Sequence, residues 1–164
     1  LALGALLGFL SLLIMILQTK KNKSRLNLTL KELTFINEMT ITVGLFMLSI
    51  GTFLGGVWAN ESWGRYWGWD PKETWALASM LVYIFVLHMR FIPKLKSMYT
   101  FNLASLLAFS SIIMTYFGVN FYLSGLHSYA AGDPMPIPDF IPYSVVVVFI
   151  TASLAFYKQK ILKK

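Results

Sequence analysis

Five apolar runs, each about 17–20 residues long, divide this chain: Leu1–Leu17, Thr40–Val57, Thr74–Ile92, Phe101–Phe117 and Phe140–Tyr157. A run of that length crosses the hydrocarbon of a bilayer once as a helix. The strands of a membrane barrel would instead alternate apolar and polar every second residue, and these runs do not. Inside a bilayer the backbone must satisfy its own N–H and C=O groups, so a continuous apolar run there is a helix. The composition agrees: the chain is 57% hydrophobic and 13% charged, where soluble domains carry about 25% charged residues. The expected fold is an all-α integral membrane protein, a bundle of about five transmembrane helices forming a single membrane domain over residues 1–164. The first run has no basic start and no small-residue cleavage pattern, and the chain begins at Leu1. It reads as the C-terminal part of a larger protein rather than as one opened by a signal peptide.

Charge orients the bundle. Lys20, Lys21, Lys23, Arg25 and Lys31 lie between the first two runs, and Arg90, Lys94 and Lys96 between the third and fourth. Lys158, Lys160, Lys163 and Lys164 form the tail. The other two connections carry Arg65 and Lys72 against Glu61, Asp70, Glu73, Asp133 and Asp139. Positive residues stay on the cytoplasmic side. The N-terminus is therefore expected outside and the C-terminus in the cytoplasm, with external loops at 58–74 and 118–139. The net charge of +7 follows from this topology and calls for no nucleic acid. With no cysteine, the chain makes no disulfide and carries no thioether-linked group of its own. The prolines at 134, 136, 138 and 142 read as a stiff connection ending where the last helix begins.

The loop at 58–74 is unusual. Trp58, Trp63, Trp67, Trp69 and Trp75, all the tryptophans in the chain, fall within eighteen residues. Interfacial belts of Trp are common, but such density also presents flat apolar faces and indole donors to a large flat ligand. Arg65 and Lys72 could meet acidic groups on it, and Gly64 and Gly68 allow close backbone approach. Asp70, Pro71 and Glu73 have the spacing of a helix start, with Asp70 as N-cap. That structural role competes with any ligand role for Asp70 and Glu73.

The chain has two histidines, His88 and His127. His88 lies about 21 Å down the third helix from its outer end, in the cytoplasmic half. Intramembrane ionisable residues are rare and usually functional, although a histidine beside Arg90 can also simply reach for the inner interface. His127 lies in the outer loop, on the side of the tryptophans. Imidazole is a common axial ligand of haem iron. The two histidines are too far apart to share a metal. If both are ligands, they serve two sites, and each needs a second ligand from outside this chain.

The stretch Gly56–Leu77, G-V-W-A-N-E-S-W-G-R-Y-W-G-W-D-P-K-E-T-W-A-L, closely resembles the tryptophan-rich WWD signature of haem-handling proteins in cytochrome c biogenesis. Its details are similar to the CcsA/ResC type, the cytochrome c synthase of the second maturation system. L-H-M-R at His88 and G-L-H-S-Y at Gly125–Tyr129 match that type in order, and the resemblance runs from about Glu38 to Tyr129. It implies that haem b, as transported substrate, is presented at the outer membrane face and attached to apocytochrome c. It also implies an outer haem pocket shaped by Trp63, Gly64, Arg65, Trp67, Trp69 and Asp70, with His127 as one axial ligand. His88 would be a ligand of a second haem position in the membrane. The other histidine of each pair would come from an N-terminal half or a CcsB/ResB-type partner subunit. Besides apocytochrome c and that partner, only membrane lipid is expected to touch the chain. The membrane is a bacterial plasma membrane or a thylakoid. No side chain reads as a dedicated acid, base or nucleophile, so catalysis would be positioning, as part of a holocytochrome c synthase. Two alternatives remain: a haem exporter or chaperone without synthase activity, and a structural subunit whose Trp loop is only an anchor.

Overall fold

The computed structural model describes residues 1–123 and 137–163, and all regular structure among them is helical. The first helix, α1 (Ala2–Leu17), is followed by the long α2 (Lys23–Trp63) and by α3 (Pro71–His88), which ends in a 3-10 turn at Met89–Phe91. Next comes α4 (Met98–Ile113), which continues through a π-helical turn at Met114–Gly118 into the short α5 (Val119–Tyr122). The last helix is α6 (Phe140–Lys163). Four segments are long and apolar enough to cross a membrane: Lys23–Trp63, Pro71–Phe91, Met98–Tyr122 and Phe140–Leu162. The helix Ala2–Leu17 is apolar but shorter.

The largest departure from the expected spans is α2. It begins seventeen residues before Thr40 and ends six residues after Val57. Between Lys23 and Val43 there is neither Gly nor Pro, while Lys, Arg, Leu and Glu are good helix formers. Hydropathy marks the part of a helix that sits in lipid; the backbone continues wherever nothing stops it. At 1.5 Å per residue its 41 residues span about 60 Å, twice the hydrocarbon thickness. Its first turns therefore extend past the apolar layer.

Helix α1 packs against α2, α4 and α6, and α4 packs against α1, α2, α3 and α6. Small residues let α1 approach its neighbours. A Cβ on Gly8 would lie 2.5 Å from Ser105 Oγ and 2.6 Å from the carbonyl oxygen of Asn102, and one on Gly4 would lie 2.8 Å from Ile41. Hydrocarbon offers no hydrophobic drive for helices to associate, so close approach and polar bonds hold such bundles together. Those bonds are present in the α1–α2–α4 seam, where Ser11, Asn37, Asn102 and Ser105 are completely buried. Asn37 Nδ2 donates to Asn102 Oδ1 (3.0 Å) and to Ser105 Oγ (2.8 Å). Asn102 Nδ2 donates to Thr34 Oγ1 (2.8 Å). An apolar cluster of Ile41, Tyr83, Val86, Met89 and Ala108 fills the space beside α3.

The two ends differ in chemistry. At one end Lys23 Nζ donates to the Leu162 carbonyl (2.7 Å). Gln18 there donates to Asn27 (2.8 Å) and accepts from Gln159 (2.9 Å). Arg90 pairs with Glu38 nearby. This end gathers most of the basic residues of the chain, all but Arg65 and Lys72 among the described ones. At the other end, Lys72 Nζ donates to Asn120 Oδ1 (3.3 Å), bringing the tryptophan connection against α5.

Candidate functional site: the tryptophan connection

Helix α2 ends because Gly64 turns left-handed, with φ 71°, while its N–H still donates to Asn60 O at 2.8 Å. This is a common helix stop, and glycine takes it without steric cost. Helix α3 restarts at Pro71, leaving only residues 64–70 non-helical. The segment expected as a loop over 58–74 is thus helical at both ends, and Trp58, Trp63 and Trp75 stand on helices.

The short connection is tied down at its far end. Asp70 Oδ1 accepts the Glu73 N–H at 2.9 Å. Glu73 Oε2 in return accepts from the backbone of Gly68 (2.6 Å) and of Asp70 (3.4 Å). Asp70 and Glu73 therefore form the capping box that their spacing predicts, with Pro71 as the first helical residue. Thr74 Oγ1 adds a bond to the Trp69 carbonyl (3.3 Å). Held from both sides, Trp69 takes φ 58°, a genuine outlier for a bulky side chain. Such outliers persist only where the surroundings impose them, and they gather at ligand sites. The Arg65 guanidinium lies over Gly68 where a Cβ would otherwise sit.

The aromatic rings pair edge to face. Trp67 and Trp69 have centroids 5.8 Å apart at 87°, and Trp58 and Trp63 5.1 Å apart at 81°. Trp69 is 69% exposed, an open apolar face on a fixed backbone. Trp67 Nε1 is buried with no acceptor among the described residues, whereas buried polar groups are nearly always paired. The connection thus combines a flat aromatic surface, a cation at Arg65 and an unused donor. These suit a flat apolar molecule carrying acidic groups.

The π-helical turn joins this region to α4. Thr115 Oγ1 donates to the carbonyls of Trp75 (3.1 Å) and Ser111 (2.8 Å) and lies 3.0 Å from Ser79 Oγ. Asn120, held by Lys72, starts the chain segment that leads to His127. His127 itself falls within residues 124–136, outside the described residues.

His88 is the last residue of α3, exposed on the bundle surface. Its Nδ1 is 2.7 Å from the Ile84 carbonyl. A carbonyl only accepts, so Nδ1 carries a proton. Seventeen residues of α3 separate it from Pro71, about 25 Å along the axis, so it is not part of the tryptophan site. The structure brings together Trp63, Gly64, Arg65, Trp67, Trp69 and Asp70 and leaves His88 at the opposite end. Sequence reasoning missed Asn120. Its only signal is an asparagine at the end of an apolar run, with no trace of Lys72 as its partner.

The chain is 55% identical over 133 residues to Protein NrfI of Wolinella succinogenes, covering 81% of this chain and 15% of that protein. It is 47% identical over 102 residues to the cytochrome c biogenesis protein CcsA of Cuscuta reflexa, and 46% over 101 residues to that of Synechococcus sp. (strain CC9902). Each of these two matches covers 62% of this chain and 33% of the relative. The chain therefore spans a third or less of the length of these curated relatives. A family model described as cytochrome C assembly protein matches residues 1–127, which include the whole tryptophan connection. The chain belongs to the cytochrome c assembly protein family.

Proposed function

We propose that this chain presents haem at the outer membrane face for covalent attachment to apocytochrome c. The observation that carries this reading is the buried indole N–H of Trp67, which has no hydrogen-bond partner among the described residues. It sits in a rigidly capped connection whose neighbouring Trp69 face is open, and the family works on a haem protein. Haem is the cargo. Its flat ring would lie on the tryptophan faces, and its propionates would take the Trp67 N–H and the Arg65 guanidinium. His127 would ligate iron there as an exchangeable ligand, giving way to the histidine of the substrate's C-x-x-C-H. Each substrate cysteine then adds its S–H across one vinyl C=C. The S–C bond forms, the proton goes to the other vinyl carbon, and no electron is gained or lost. The chain's part is to hold the vinyl edge outward and limit the approach of water. It contributes no acid, base or nucleophile, so it acts within a holocytochrome c synthase by positioning.

His88 serves a second haem position, reached through Nε2 from outside the bundle. Its exposed setting suits a partner histidine on another segment, from an upstream half or a CcsB/ResB-type subunit. The tryptophan connection faces the periplasm or thylakoid lumen, the N-terminus lies outside, and the basic end faces the cytoplasm or stroma.

The test is the haem absorbance spectrum of the purified protein, compared with His127→Ala, His88→Ala and Trp67→Phe. Separate losses from the two histidine variants, with weaker retention in Trp67→Phe, are expected. A wild type that purifies without haem and variants that mature cytochrome c normally would reduce the connection to an anchor. Haem-replete protein that loads a separate acceptor but never apocytochrome would favour an exporter.

A further inference from the structure

The basic end holds a groove of about 610 Å³ between the start of α4 and the end of α6, closed on one side by α1. One wall is apolar: Met15, Met98, Tyr99 and Phe156. Tyr99 and Phe156 rings lie 5.7 Å apart, and Tyr99 Oη donates to the Ala152 carbonyl (3.0 Å), fixing the two helices around the opening. The rim is polar and positive, with Lys96 and Lys160 exposed and Gln159 beside them. No carboxylate of the described residues lines this groove. Glu38 lines a smaller cavity of about 110 Å³ that shares Lys96 with the groove, and it is already paired with Arg90.

We propose that this groove binds an anionic phospholipid, its phosphodiester between Lys96 and Lys160 and the start of an acyl chain along Met15, Tyr99 and Phe156. Charge complementarity argues for the headgroup, since basic pockets between helices at the membrane face are where anionic headgroups settle. The apolar wall argues for a lipid over free phosphate, because a phosphate ion would leave that wall uncovered. The volume falls in the range of small-ligand sites, roughly 300–1,000 Å³. The site lies at the opposite end of the bundle from the tryptophan connection and does not depend on the haem reading.

The test is native mass spectrometry of the purified protein titrated with phosphatidylglycerol or phosphatidylcholine. The wild type is compared with a Lys96→Gln/Lys160→Gln double variant and with a Lys20→Gln/Lys21→Gln double variant that loses the same charge elsewhere. Preferential binding of phosphatidylglycerol is expected. It should weaken roughly 30-fold in Lys96→Gln/Lys160→Gln, from two near-surface cations, and stay near wild type in the other variant. Equal binding of both lipids, or equal loss in both variants, would overturn a defined site. Displacement of phosphatidylglycerol by millimolar inorganic phosphate would show a phosphate site in its place. All four lysines are exposed, so the variants should fold.

Discussion

At Trp69 two opposing energies can be weighed. A left-handed backbone costs an L-residue about 1–2 kcal/mol. Replacing it with glycine removes that cost but adds about 0.5–1 kcal/mol of chain entropy lost on folding. The exposed indole contributes little packing beyond its edge contact with Trp67. Trp69→Gly should therefore leave thermal stability unchanged or slightly raised while cytochrome c maturation falls, read by melting in detergent beside a haem-staining assay. A large drop in melting temperature would mean that the residue serves the fold and not a ligand. Gly68→Ala tests the same site differently. The new Cβ displaces only the flexible end of Arg65, so stability should hold within about 0.5 kcal/mol while haem retention weakens.

For a whole helix, the start of α3 depends on Asp70 and Glu73. Removing an N-cap side chain costs about 0.5–2 kcal/mol. Asp70→Ala should lower stability by about that much and loosen Gly68, because Glu73 loses its reciprocal partner. A double-mutant cycle with Glu73→Ala should show clear coupling, and additive effects would contradict the box. The sequence made this helix start legible because a cap is local: Asp, Pro and Glu within four residues carry the whole signal. The true extent of α2 was not legible from hydropathy. Its first seventeen residues mix charged and apolar side chains, and an apolar run marks lipid exposure where the backbone follows helix propensity. The π-helical turn was equally hidden; its Thr115 meets the Trp75 carbonyl on a different helix, a contact distant in sequence.

Across the whole molecule, the seam of Asn37, Asn102 and Ser105 joins α2 and α4, with Gly8 of α1 pressed against it. Interhelical bonds of this kind are worth about 0.6–2 kcal/mol in membranes. Asn37→Leu should cost about that much in a reversible unfolding assay. Gly8→Leu should cost more, about 1–3 kcal/mol from overpacking, because the obstacle includes the Asn102 backbone as well as a side chain. If Gly8→Leu is silent, α1 is not seated between α2 and α4 as described.

The amino-acid sequence by itself determined that this is a helical membrane protein, where the cap of α3 lies, and which family it belongs to. Those properties follow from run length, local hydrogen bonding and a contiguous motif, all of which are written along one stretch of chain. The placement of His88 was partly legible: a helix of known rise sets its distance from the start of α3, but only packing shows that its side chain is exposed. Tertiary structure alone decided that the Trp67 N–H is buried without a partner among the described residues, that Lys72 meets Asn120, and that Lys96 and Lys160 rim one groove. Each of these depends on residues that are distant in sequence and adjacent in space, and helix packing in lipid follows small residues and polar contacts that hydropathy does not register.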